Sequence, residues 1–220
     1  APPGIMLNYP IAVSDDGNKL LYSKSGDLYL LNIEKKDFKQ ITETKSEEKN
    51  ATFSPDGNYI AFTRDNDLYS VNLNTLKEYR YTNDGGKVIY NGYAAWLYYE
   101  EIFGRASRYK AFYWSPDSKR IAFYRFDETN VPIFPIYSSE GQHGFLEETR
   151  YPKAGDPNPE VKFGIVKVEQ PEIVWADFNE NEDQYFGMPY FSPDNQLFVQ
   201  WMNRGQDNLV IYNVNLQDGS

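Results

Sequence analysis

One tetrapeptide returns four times along this chain, and it limits the fold more than any other feature. The copies are Ser14-Asp15-Asp16-Gly17, Ser54-Pro55-Asp56-Gly57, Ser115-Pro116-Asp117-Ser118 and Ser192-Pro193-Asp194-Asn195. Pro sets φ for the second turn position, Asp hydrogen-bonds the backbone two residues on, and Gly or Asn tolerates positive φ. A short apolar run precedes each copy and another follows it, as in Ala51-Thr52-Phe53 and Tyr59-Ile60-Ala61-Phe62. Every copy therefore reads as strand, turn, strand. A third strand follows in three copies, at Asp27 to Asn32, Asp67 to Asn72 and Asn208 to Asn213; short fourth strands are expected at Phe38 to Thr42 and Glu78 to Thr82. From Ser14 to Ser54 the period is 40 residues, the length of a four-stranded propeller blade.

The fold class expected is all-β, a partial β-propeller of four-stranded antiparallel blades, about four to five in number, with residues 1–220 forming part of a single propeller domain. Residues 10 to 84 should make two consecutive blades. Aromatic residues fill 17% of the chain, which favours strands over Leu-rich helices.

The next repeat spacings are 61 and 77 residues, so two blades carry insertions, at about Gly85 to Lys110 and Asp127 to Lys162. Both exceed ordinary loops, and function is sought there. In the first, Ala94 to Phe103 lacks Pro and Gly and holds good helix formers, which predicts a short inserted helix. It carries adjacent acids, Glu100 and Glu101. On a strand they would face opposite ways; on a helical turn both can serve one ligand. Two carboxylates beside aromatic walls suit a small cation such as a free α-amino group. The same residues also read as two solvated acids at an exposed helix end. The second insertion holds prolines 132, 135, 152, 157 and 159 and reads as an extended arm.

Other chemistries are excluded. A net charge of −10 argues against a nucleic-acid partner. No cysteine is present, and no cofactor or metal is expected. Asp177, Asn179, Asn181 and Asp183 open like a calcium loop, but Glu182 stands where Gly is required and Met188 where Glu is. His143, the lone histidine, reads as a solvated loop residue, because no Gly-x-Ser-x-Gly nucleophile elbow occurs in the sequence.

Trp96 to Phe103, then Tyr113-Trp114-Ser115-Pro116-Asp117, Asp127-Glu128-Thr129-Asn130-Val131-Pro132 and Tyr151-Pro152-Lys153-Ala154-Gly155-Asp156-Pro157, closely resemble the dipeptidyl peptidase IV propeller in content and order. The resemblance is specific from about residue 89 to 163. It implies a fragment of an eight-bladed propeller that caps an α/β-hydrolase domain absent from this chain, in a serine exopeptidase releasing dipeptides with Pro or Ala second. It places Glu100 and Glu101 on the glutamate pair that binds the substrate's amino terminus, and Phe103 on an aromatic of the extended subsite wall; Phe103 also reads as an ordinary core residue. The arm at 127–162 would contribute to a homodimer, and the parent would be periplasmic, cell-surface or secreted. The family's arginine that reaches a substrate carbonyl has no counterpart in Thr42 to Asn50, where Lys45 and Lys49 are the nearest cations. A non-enzymatic peptide-binding propeller is the alternative reading. A glycosidase is disfavoured, since its acids would stand on separate strands.

Overall fold

The structure, a computed structural model, describes residues 9–220. Four propeller blades follow one another along the chain. The first is β1 (Ala12–Val13), β2 (Lys19–Lys24), β3 (Asp27–Asn32) and β4 (Asp37–Gln40), a meander hydrogen-bonded in that order. The second repeats it with β5 (Lys49–Phe53), β6 (Tyr59–Arg64), β7 (Asp67–Asn72) and β8 (Glu78–Arg80). These are the two blades expected between residues 10 and 84.

The third blade departs from the simple meander. Its innermost strand is divided into β9 (Ile89–Asn91) and β10 (Phe112–Trp114), both paired to β11 (Arg120–Asp127). The chain then leaves the blade as a hairpin of β12 (Ile133–Ser138) and β13 (Phe145–Arg150), and returns as β14 (Glu160–Lys167) and β15 (Ile173–Trp175). Both insertions are thus shorter than their sequence boundaries. Residues 89–91 already belong to the blade, and the arm spans 128–159, because Asp127 pairs with Glu160 across β11 and β14. The arm is a β-hairpin, with Ile133 facing Arg150 at its base and Ser138 facing Phe145 at its tip. The fourth blade also has a divided inner strand, β16 (Gln184–Phe186) and β17 (Tyr190–Phe191), both on β18 (Leu197–Asn203), followed by β19 (Leu209–Val214).

The core lies between blades, and the repeat explains why. A middle strand is covered on both faces, so it reads as a continuous apolar run whose alternate residues serve different neighbours. Ile60 and Phe62 join Leu21, Leu28 and Leu30 of the first blade, whereas Ala61 joins Phe112, Ile121 and Phe123 of the third. One repeat later Ala122 and Tyr124 turn towards Phe186, Leu197 and Val199 of the fourth.

The repeated turns are also fasteners. In each of the first three the serine hydroxyl donates to its aspartate at 2.6 Å and accepts the backbone N–H five residues on. The fourth position takes positive φ, 70° at Gly17, 66° at Gly57, 60° at Ser118 and 64° at Asn195. The two departures from glycine reach back to the preceding blade. Ser118 Oγ accepts the N–H of Asp56 at 3.0 Å, and Asn195 Oδ1 accepts that of Asp117 at 2.9 Å. Burial raises the Asp56 carboxyl, but hydrogen bonds from Ser54, Asn58 and Ser118 together hold it below its ordinary value.

Candidate functional site

The divided inner strand of the third blade makes the site. Residues 92–111 leave the sheet between β9 and β10 and are pinched at their base. Gly92 N–H donates to Tyr124 O at 2.9 Å, Tyr124 N–H to Ala111 O at 3.0 Å, and Ala111 N–H to Gly92 O at 2.9 Å. Gly92 has φ +69°, and an added Cβ would meet Leu68 and Thr63 at 3.2 and 3.3 Å. The entry turn therefore favours glycine.

The helix expected over 94–103 is shorter, covering residues 96–102, and most of it is a single π turn, Tyr98–Ile102. Phe103 N–H closes it on Tyr98 O at 2.7 Å. The wider turn lets side chains five residues apart meet: the rings of Tyr98 and Phe103 lie 5.4 Å apart, both buried. Tyr98 is fully buried against Phe126 at 4.7 Å, and its hydroxyl accepts Phe186 N–H at 3.3 Å. With 98 and 103 turned inward, Glu101 between them is exposed and Glu100 is half-buried. Such turns are frequent at functional sites.

The structure thus carries Glu100 and Glu101 on the same helical turn, Glu101 exposed and the Glu100 side chain 15% exposed. It adds a residue that sequence reasoning missed: Arg105, whose Nε lies 2.8 Å from both oxygens of Glu100. Arg105 is 74% exposed, so solvent and salt screen its attraction to Glu100. It neutralises Glu100 without closing the site. Beside the acids, Tyr99 stacks on Tyr109 at 3.7 Å and Tyr109 on Tyr93 at 5.0 Å. Trp96 meets Tyr151, at the base of the arm, edge-on at 4.7 Å.

Glu128 lies under the loop, 3% exposed, near the Tyr90 hydroxyl, Arg150 and the backbone N–H of Trp96. Burial raises its carboxyl to about 7, against the pull of those three groups. A carboxyl raised on folding binds more protons in the folded state than in the unfolded one. Its stabilising contribution is complete below the ordinary value of about 4.3 and is lost as pH rises through about 7. Glu128→Gln should therefore gain stability over the parent sequence between pH 5 and pH 8, by roughly 3 kcal/mol at the upper end. Denaturant unfolding at the two pH values measures it, and an unchanged difference would contradict this assignment.

Adjacent to the loop, a cleft of about 680 Å³ is lined by inner-strand or neighbouring residues of all four blades, including Ile11, Thr52, Tyr113 and Met188. Phe103 belongs to the core and also lines this cleft, whereas Glu100 and Glu101 stand outside it. His143 is exposed on the arm, and among the described residues no His/Cys/Asp/Glu cluster could hold a metal.

The family model for the dipeptidyl peptidase IV N-terminal region matches residues 8–220. A probable dipeptidyl-aminopeptidase B of Pyrenophora tritici-repentis is 30% identical over 198 residues, covering 80% of this chain and 22% of the relative. Another, of Talaromyces marneffei, is 33% identical over 180 residues, covering 75% and 20%. The crystal structure of Porphyromonas gingivalis dipeptidyl peptidase 4 superposes with a TM-score of 0.83 at 25% identity, over 98% of this chain and 32% of that one. A putative dipeptidyl aminopeptidase IV from Bacteroides ovatus gives a TM-score of 0.69 at 23% identity, over 92% and 27%, a likeness of fold. The chain spans about a fifth of the length of these two curated relatives. With blades, loop and arm in place and this match over residues 8–220, the chain belongs to the dipeptidyl peptidase IV N-terminal region family.

Proposed function

We propose that this chain is part of the propeller of a serine dipeptidyl peptidase and recognises the free amino terminus of the peptide to be cut. The observation that carries the reading is the π turn presenting Glu100 and Glu101 together beside a wall of stacked tyrosines. An ammonium group meets two acceptors of opposite charge there, and Arg105 leaves one net negative charge for it to neutralise. Fixing the amino end at a set distance from a nucleophile on a separate α/β-hydrolase domain makes the acids a ruler, so that only the second peptide bond is cut. Pro or Ala at the second position is the substrate class proposed. The arm would serve a second copy of the protein; Ile133, Tyr137, Phe145 and Leu146 are 51%, 67%, 51% and 64% exposed along it, an apolar surface suited to a partner.

The test is binding of a Gly-Pro-containing peptide to the chain, with its amino group free or acetylated. Acetylation removes the charge and should weaken binding about tenfold or more. Equal affinities would return the acids to the solvated-helix reading. The chain alone should leave a Gly-Pro chromogenic substrate uncleaved.

A further inference from the structure

The cleft beside the loop holds donors that nothing among the described residues satisfies. Asn50 Nδ2, Thr52 Oγ1, Ser107 Oγ and Tyr113 OH are buried without a hydrogen-bond partner, and all four residues line it. Such atoms are uncommon in folded proteins and call for an explanation. Asn50 is placed there by an irregularity in the β5–β6 pairing between Lys49 and Thr52, with φ 57° at Asn50 itself. Lys110 lines the same cleft, its Nζ 5.9 Å from the ring centroids of Phe112 and Tyr113. Burial lowers its pKa and no carboxylate offsets this. The acids nearby are otherwise disposed: Glu48 is bound by Arg64, Thr42 and Thr44, and Glu47 is exposed to solvent at the cleft.

A partly desolvated ammonium among an amide N–H and hydroxyl groups lacks an anion. A neutral carbonyl would accept hydrogen bonds but leave the charge uncompensated; a carboxylate does both. We propose that this cleft is a carboxylate-binding site in which Lys110, Asn50, Ser107 and Tyr113 receive an anionic group of a peptide. The proposal rests on the reading of the chain as a peptide-recognising propeller. Phe103 joins the two regions, since it belongs to the acid-bearing loop and lines the cleft. The carboxylate has two sources in a peptide, its C-terminus or an acidic side chain.

Calorimetric titration of the 220-residue chain with three peptides tests this: Ile-Pro-Ile with a free C-terminus, its C-terminal amide, and the amide of Ile-Pro-Glu. At least one carboxylate-bearing peptide should bind about tenfold or more tightly than the neutral amide, and the tighter of the two identifies the source. Lys110→Met should abolish the advantage, and Lys110→Arg, which keeps the charge, should retain most of it. Equal binding of all three peptides, no binding by any, or an advantage that survives Lys110→Met would overturn the proposal. N-acetylated versions separate the two readings: a carboxylate advantage that persists when acetylation costs nothing would sink the amino-terminal clamp and leave the carboxylate site standing.

Discussion

If Glu100 and Glu101 hold an ammonium as proposed, replacing both by Gln should lower kcat/KM of the proposed parent peptidase on a free-amino dipeptide substrate by more than about hundredfold. Gln keeps the shape of Glu and removes a charge, and a hydrogen bond to a charged group contributes about 1.5–3 kcal/mol, so each single substitution should cost roughly ten- to hundredfold. The two should differ. Arg105 already hydrogen-bonds Glu100, so Glu101→Gln leaves the ammonium facing a neutralised pair and should cost more than Glu100→Gln. Removing the competitor, as in Arg105→Gln, should raise affinity only a few-fold, because solvent screens a side chain as exposed as that of Arg105. A small phosphonylating reagent should label the proposed nucleophile of every variant at the unaltered rate, since the substitutions would lie outside the proposed α/β-hydrolase domain. Full activity of the double variant would remove the clamp from the mechanism.

Truncating Tyr98 to Ala should destabilise the chain by about 3–5 kcal/mol, the usual range for a large aromatic lost from a packed core. Tyr98 is fully buried, and its ring meets Phe103, Tyr124 and Phe126. Tyr98→Phe keeps that packing and leaves only the Phe186 N–H without its acceptor, so it should cost about 1 kcal/mol. Chemical denaturation of the three proteins separates the contributions. A small effect of Tyr98→Ala would mean that the loop is held by its pinched base alone.

The blades were legible because each turn states its geometry locally: Ser, Pro, Asp and a residue of positive φ identify a hairpin without reference to anything distant. The fourth position was legible only in part. Asn195 reads locally as a residue that tolerates positive φ, yet the side chains of Ser118 and Asn195 bond to turns 62 and 78 residues away, a relation that no local pattern carries. The divided inner strands were hidden for a similar reason. Ile89–Asn91 is three residues long and becomes a strand only by pairing with Arg125 to Asp127. At the site, the adjacent acids and their aromatic neighbours were visible, and helix propensity placed them on a turn. Propensity does not distinguish an α turn from a π turn, because the extra residue is accommodated by the packing of Tyr98 and Phe103. Arg105 was five residues from Glu100 and unremarked, since it lay past the glycine that ends the predicted helix.

The pinched base at Gly92 and Ala111 has a bearing on how the proposed recognition could change. Entry and exit of the loop are tied to one residue, Tyr124, so what lies between them can lengthen, shorten or be exchanged while the pairing of β10 with β11 keeps its register. The inserted loop behaves as a cassette plugged into a fixed socket, and the corresponding loop of a relative could be grafted there, provided it brings its own counterparts to Tyr98 and Phe103.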